Sequence, residues 1–535
     1  MANLQLGESS HFSSFQLSIP LTITLATILL TFIIRIGLGL RSSSPARSKK
    51  KPLPPGPWKL PIIGNIHQLA TSPLPHHRLR DLAQKHGPDL MYLQLGQLAH
   101  VVVSSPEAAR EVMKTHDLSF ASRPNLLVSD IVLYGRIGPY GEHWRQMRKV
   151  SAVELLSAKR VGSFRPIRES EVAKLVAGIT RGGAAGDVVN VSRMLAATSS
   201  GVTFSLSMNL ATTFRAAFGM EKEVKEALFV KLVTDVTDAV AAFRVSDLYP
   251  SLKFLPSLTG YRAHLTRMHL AADEMLEEII REHKVKREGR KDLDTEDLVD
   301  ILLNLQESGG LGYPITINDI KGVIFEVFLA GTETSTRTVE WTLSEMIKNP
   351  RVMKKAQEEV RRTFGGEGVV KEEGLHELKY LDCVIQEGLR LHPPLPLLLP
   401  RECREREEIC GYEIPAKTKV LINAWAIGRD SRYWTEPDKF YPERFMDSSL
   451  DYKGTKFEFI PFGAGRRICP GISFGVALVK IMLANLIYHF DWKLPGGTEP
   501  ESLDMTEQFS ASVRRKHSLS LIPISYDAIS PRKTN

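Results

Sequence analysis

One of the four cysteines stands in a run that could do chemistry: Phe462-Gly463-Ala464-Gly465-Arg466-Arg467-Ile468-Cys469-Pro470-Gly471. The glycines allow a tight backbone turn. Pro470 and Gly471 lead into an apolar run, 472–487, that reads as a helix, and proline suits a first helical position. Cys469 is thus placed at a helix N-terminus, where free N–H groups and the helix dipole favour thiolate over thiol. A thiolate ligand on haem iron pushes electron density toward bound O2 and favours O–O cleavage. Arg467, two residues away, could pair with a carboxylate of the same group. The plain alternative is a glycine-rich loop with an incidental cysteine. Cys383, Cys403 and Cys410 lack such surroundings, and the chain has no CxxC pair and no Cys/His cluster at zinc-ligand spacing.

Three further constellations have suggestive spacing. Glu387 and Arg390 are three apart and share a helix face; such pairs are common on helix surfaces. Trp144 and Arg148 are four apart and likewise share a face. Ala330-Gly331-Thr332-Glu333-Thr334-Ser335 sits inside a long proline-free helical stretch. It is either a small-residue packing face or an acid beside an alcohol, suited to delivering protons by general acid catalysis.

The elements that must position these groups are mostly helices. Helices are predicted over 106–115, 148–161, 169–179, 263–283, 317–347, 351–364 and 378–391, and β structure over 91–103 and 419–422. The charged run 281–297 reads as a solvated loop. The hydrophobic fraction of 43% and charged fraction of 24% are those of a globular chain. Of the net charge of +8, most lies in residues 1–51, where Arg35, Arg41, Arg47, Lys49, Lys50 and Lys51 face only Glu8. A basic tail of this kind suits a membrane surface and argues against a nucleic-acid partner, which would need a basic face on the folded body.

Residues 15–34 carry no charge and are long enough to cross a bilayer. No Lys or Arg precedes them and the basic cluster follows, so they read as a signal anchor with the body on the cytosolic side. The expected organisation is a short luminal N-terminus at 1–14, a transmembrane anchor at 15–35, a basic and proline-rich linker at 36–57, one catalytic domain at 58–525, and a tail at 526–535. The Asn190-Val191-Ser192 acceptor motif would then face the cytosol unused.

The cysteine run matches every fixed position of FxxGxRxCxG and so resembles the haem-binding signature of the cytochrome P-450 family. The resemblance extends from about Trp58 to about Ile524. It implies a mainly α fold with small β-sheets, preceded by one transmembrane helix. It also implies haem b held by Cys469, and O2 and NADPH-derived electrons as co-substrates. On this resemblance Phe462 and Gly471 complete the haem loop, while Trp144, Arg148, Arg401 and Arg467 contact the haem carboxylates. Thr334 and Glu333 form the catalytic proton-delivery pair, with Gly331 leaving room for O2. Glu387, Arg390 and Arg444 form a structural ionic cluster. Leu133, Phe328, Ala330, Leu395, Leu397 and Ala511 line a pocket for a small apolar substrate. No nucleotide-binding motif is visible, so electrons are expected from a membrane-bound NADPH-cytochrome P-450 reductase at the endoplasmic reticulum, meeting basic residues such as Arg145, Lys149 and Arg466.

Segments such as 154–160 and 491–495 are similar to the plant microsomal branch that contains terpene hydroxylases. The implied reaction inserts one oxygen atom into a sesquiterpenoid or diterpenoid, with an alkaloid or phenylpropanoid next. A reductase-independent isomerase or dehydratase and an inactive haem-binding relative are the other readings. Three departures from that branch stand out: Gln386 and Gly388 replace the usual Lys and Thr, 134–139 is about four residues short, and 204–212 resembles an insertion near the substrate side.

Overall fold

Thr316 starts the longest helix among the described residues. Its hydroxyl oxygen accepts from the Asp319 N–H at 3.2 Å while the Asp319 carboxylate accepts from the Thr316 N–H at 2.9 Å. This reciprocal cap satisfies two of the donors a helix start leaves free. The helix runs Ile317–Lys348 and stops at Asn349, where the following Pro350 disfavours a helical residue. Its two halves lie in different apolar clusters. Ile320, Val323, Ile324 and Phe325 pack with residues of the helices Lys222–Ala241, Tyr261–Gly289 and Leu298–Ser308. Val339, Leu343 and Met346 pack with the helices Arg165–Gly182, Lys379–Leu391 and Ile472–His489. The segment 330–335 lies between the two.

The structure, a computed structural model, describes residues 51–135, 138–207, 222–241, 244–289, 297–309, 314–365 and 368–526. The expected anchor at 15–35 and most of the 204–212 segment lie outside these residues. Among the described residues, the helix long and apolar enough to cross a membrane is Ile472–His489, and 67% of it is buried inside the protein. It is the core helix that follows the cysteine loop.

The β structure is small. Leu90–Leu95 and Leu98–Val103 form an antiparallel hairpin, so the predicted stretch 91–103 is two strands around a tight turn. Lys419–Ile422 adds in parallel to the second strand, and Arg401–Glu402 pairs with its far edge. The proline spacer docks on this sheet through the Tyr92 N–H, which donates to Pro55 O at 2.8 Å, and on a separate two-stranded ribbon, Glu407–Ile409 with Tyr412–Ile414, through the Glu413 N–H, which donates to Pro52 O at 2.9 Å.

Two predicted helices are interrupted. The 106–115 helix is α-helical only over Pro106–Arg110 and widens to π geometry over Glu111–Thr115. The 148–161 stretch is the end of a helix Glu142–Lys149, a π turn Val150–Leu155, and a separate helix Ala158–Ser163 after extended Ser157. One extra residue per turn rotates the apolar face, and a period-3.6 reading cannot see it. The charged run 281–297 corrects the other way. The helix continues to Gly289, and Arg287 reaches Glu307 at 2.8 Å on the neighbouring helix. Charge there marks a solvated helix face. Asp297 then caps the next helix and meets His283 at 2.8 Å.

The helix Lys379–Leu391 carries the buried ion pair. Arg390 donates from Nε to Glu387 Oε2 at 2.7 Å and from Nη2 to Oε1 at 2.9 Å, and both side chains are fully buried. Arg444 Nε donates to Glu387 Oε1 at 3.0 Å, as does the Tyr441 N–H at 2.8 Å. Arg390 Nη1 donates to Gly428 O and Pro437 O, both 2.6 Å away, and Nη2 also to Lys439 O at 3.2 Å. Gly388, on the same helix, faces the long helix so closely that a Cβ there would lie 2.3 Å from Thr342 Oγ1. The glycine permits close helix packing, which offsets its low helix propensity.

Arg390→Leu would strand a buried carboxylate, at a cost of roughly 3–5 kcal/mol. A urea unfolding series on the purified variant is expected to show this as a lowered midpoint.

Candidate active site

The cysteine loop is bent by backbone geometry that only glycine takes easily. Gly465 has φ +70°, and a Cβ on it would lie 2.0 Å from Met113 O. The bend lets the Ile468 N–H donate to Gly465 O and the Cys469 N–H to Phe462 O, both at 3.0 Å. Arg466 N–H donates to Asp117 Oδ2 at 2.8 Å, fastening the loop to the chain after the first π turn. The following helix begins at Ile472 with Gly471 as its cap residue, so Pro470 precedes the helix instead of opening it.

Cys469 faces a cavity of about 420 Å³. Phe462 and Gly471 line it on the cysteine side, and Ala330, Gly331, Glu333 and Thr334 of the long helix line it too. Burial pushes the Cys469 thiol up, while the Gly471 N–H and the Arg148 guanidinium pull it down. Burial has the largest effect. A cation bound at the cysteine would act in the same direction as the Gly471 N–H and Arg148.

Four guanidiniums gather on this cavity: Arg123, Arg148, Arg401 and Arg467. Arg467 donates to Ala121 O at 2.7 Å and Gly138 O at 2.9 Å and lies over the Trp144 ring at 4.1 Å. Arg401 donates to Ala464 O at 2.9 Å and to Asp117 at 3.2 Å, and Arg148 donates to Ile468 O. Burial depresses all four, and repulsion from neighbouring arginines adds to it at two of them: Arg467 is pushed down to about 10 and Arg123 well below the usual arginine range. Arg123 was not anticipated. It donates to Leu399 O and Pro400 O and is half-buried. Its one signal in the sequence is a lone basic residue between Phe120-Ala121-Ser122 and Pro124.

Of the expected pocket residues, Ala330, Leu395 and Ala511 line the cavity. Leu133, Phe328 and Leu397 do not. Leu133 and Phe328 are buried in the cluster around the first half of the long helix, where Phe328 packs on Phe204 at 6.2 Å. Leu397 points into the core beside the β-hairpin. The next residue, Leu398, has φ +48°, and this backward twist turns Leu398 and Leu399 to the cavity instead. The short segment also behaves differently. Tyr134 donates to Asp273 at 2.8 Å, away from the cavity, while Gly138 O receives Arg467. Arg136 and Ile137 lie outside the described residues.

The acid and the alcohol are both engaged elsewhere. Thr334 Oγ1 donates to Ala330 O at 2.6 Å. Glu333 accepts from Thr234 at 3.3 Å and from Arg337 at 3.0–3.1 Å, and Arg337 also holds Glu340 at 3.0 Å. Gly331 approaches the helix Val191–Ser207, where a Cβ would come 3.3 Å from Thr203 Oγ1. Helix packing thus accounts for this glycine beside any space it leaves for O2.

A thiol on one face, an alcohol and an acid on another, apolar walls and a group of four arginines with one close acidic contact, Asp117, fit one kind of occupant. It is flat, apolar at its centre, carries a metal ion that can hold the thiolate, and bears carboxylates at its edge. Those are the features of haem, and the site defines a haem-thiolate protein. The cytochrome P-450 family model matches residues 54–521. Desmethyl-deoxy-podophyllotoxin synthase of Sinopodophyllum hexandrum is 50% identical over 514 residues, which cover 95% of this chain and 97% of that one. Premnaspirodiene oxygenase of Hyoscyamus muticus is 49% identical, covering 91% and 95%. Salviol synthase of Salvia pomifera is 48% identical, covering 89% and 92%. A zebra fish cytochrome P-450 structure with abiraterone superposes with a TM-score of 0.71 at 23% identity, covering 85% of this chain and 100% of that one.

The chain belongs to the cytochrome P-450 family. It is a haem-iron monooxygenase that uses O2 and NADPH-derived electrons.

Gly465→Ala combines a left-handed backbone, costing roughly 1–2 kcal/mol, with the clash at Met113 O. Thermal denaturation is expected to show a loss above that range, together with weakened haem retention.

Proposed function

We propose that the enzyme catalyses RH + O2 + NADPH + H⁺ → ROH + H2O + NADP⁺ on an apolar plant secondary metabolite, a sesquiterpenoid or diterpenoid first. The observation that carries this reading is the cavity wall. Val240, Val323, Val327, Leu395, Leu398, Leu399 and Ala511 leave few polar groups with which to orient a substrate. Such a pocket selects by shape. The names of the similar enzymes refer to different products, so an alkaloid or phenylpropanoid remains the second reading on the same walls.

Each residue has an assigned part in this proposal. Bound haem supplies oxygen activation at an iron ligated by Cys469. Arg148, Arg401 and Arg467, with Arg123 added from the geometry, bind the carboxylate edge, and Trp144 supports Arg467. Thr334 exchanges its bond to Ala330 O for one to oxygen in the cavity. Glu333, held in place by Arg337 and Thr234, relays protons inward. Glu387, Arg390 and Arg444 act on the fold alone.

Electrons come from an NADPH-cytochrome P-450 reductase. Exposed Arg145 and Arg466, with Lys149, offer an acidic partner a steering surface near Cys469. Residues 15–35 anchor the chain in the endoplasmic reticulum membrane with the body facing the cytosol.

Microsomes carrying the chain and a reductase are to be screened against a terpenoid panel. NADPH-dependent hydroxylated product is expected, and turnover without NADPH would favour an isomerase or dehydratase. The reduced carbon-monoxide complex should show the thiolate-type Soret shift, and Cys469→Ala should lose it. Thr334→Ala is expected to lower product formed per NADPH oxidised by about 100-fold, the lower end of what proton delivery contributes. Unchanged coupling would remove Thr334 from the mechanism.

A further inference from the structure

A second group of titratable side chains is gathered away from the haem cavity and has no part in the chemistry above. His76 and His77, at the start of the helix Pro75–His86, both direct Nε2 at the same carboxylate oxygen of Glu507, at 2.9 and 3.1 Å. His392 turns Nδ1 toward the other oxygen of Glu507 at 3.9 Å, too far for a hydrogen bond. Its Nε2 meets Glu345 at 2.7 Å.

We propose that His76, His77 and Glu507 form a binding site for one divalent cation of the zinc class, with His392 Nδ1 as the nearest fourth donor. Imidazole nitrogens with a carboxylate are a ligand set suited to zinc. Metal–ligand bonds of about 2.0–2.1 Å at tetrahedral angles set neighbouring ligand atoms roughly 3.3 Å apart. The two N–O separations need widen by only a few tenths of an ångström to reach this. The rings are already oriented: His77 stacks on Trp425 at 4.0 Å, and His392 stacks on Trp341 at 4.4 Å with the planes 2° apart.

The outer contacts point the same way. The Glu345 carboxylate engages His392 Nε2 and leaves Nδ1, a buried atom without a hydrogen-bond partner, as the ligating nitrogen. This is the carboxylate–histidine arrangement that commonly stands behind a bound metal. Arg429 and Arg80 lie over the Trp425 ring at 4.2 and 4.9 Å and Arg515 over Trp341 at 5.5 Å, while Glu507 and Glu345 are the carboxylates that touch the imidazoles directly. The His77 side chain is 34% exposed and gives an entry path, while His76 is fully buried. The other group of this type, His283, Asp297 and Asp300, is already committed to capping the helix Leu298–Ser308.

A cation here would act on the haem cavity at a distance. Glu507 lies in the two-stranded ribbon with Arg514–Arg515, and the turn between those strands carries Ala511 and Ser512 of the cavity wall. His392 is followed by Pro394 and Leu395 of the same wall. Binding fastens both wall segments to the helix Pro75–His86.

The test uses the purified, haem-loaded full chain, dialysed against micromolar free zinc, with zinc counted against iron by mass spectrometry. One zinc per iron is expected. His77→Ala, at a partly exposed position, and Glu507→Gln should each weaken uptake by at least roughly tenfold, with the reduced carbon-monoxide spectrum of His77→Ala unchanged. His283→Ala should retain the ion. No uptake by the unaltered chain, uptake that survives His77→Ala, or uptake lost only in His283→Ala would overturn the proposal.

Discussion

A guanidinium without access to water must find partners for its donors inside the protein. Arg390 does so by gathering chain from a distance. Two of its donors take Glu387 on its own helix, and others take the carbonyls of Gly428, Pro437 and Lys439. Glu387 then uses its remaining capacity on Arg444 and the Tyr441 N–H. The chain between 428 and 444 has almost no regular secondary structure, so these bonds are what give it a defined path. That path leads into the cysteine loop. The position of a thiol at residue 469 thus depends on an ion pair that touches nothing reactive.

The cavity illustrates the opposite use of buried charge. Around Arg390 one buried carboxylate, Glu387, pairs directly with two guanidiniums. Around the cavity, Arg123, Arg148, Arg401 and Arg467 stand together with Asp117 in contact with Arg401, and their basicity falls chiefly through burial, with repulsion between neighbours adding at Arg123 and Arg467. A protein that folds around such an excess holds electrostatic free energy that an anionic occupant releases. The same burial raises the Cys469 thiol, which a metal cation relieves. Both perturbations are thus of the sign that haem, with its iron and its carboxylates, would correct.

On the other side of the cavity the groups are held in reserve. Glu333 is tied to Arg337 and Thr234, and Thr334 to its own helix. Proton delivery in the proposed mechanism therefore begins with an exchange of partners. The substrate walls come from chain segments with little regular structure, including 394–399 and 511–512, and from single faces of helices. Their residues are chosen by backbone twist at positions such as Leu398.

Motifs read by covalent spacing were legible in the sequence. The cysteine run, the Glu387–Arg390 face, the Trp144–Arg148 face and the long helix with its acid and alcohol all depend on residues within about ten positions of one another, where helix and turn geometry dictate what is adjacent. Their presence, together with the family resemblance, sufficed to identify a haem-thiolate monooxygenase. Tertiary structure alone decided what depends on residues far apart. It brought Arg123 beside Arg467, and it turned Leu397 inward and Leu399 toward the cavity. It inserted π turns that rotate helix faces, and it drew His76, His77, His392 and Glu507 to one point. Each is an outcome of packing and burial between distant segments, and local periodicity carries no record of which distant segment will be opposite.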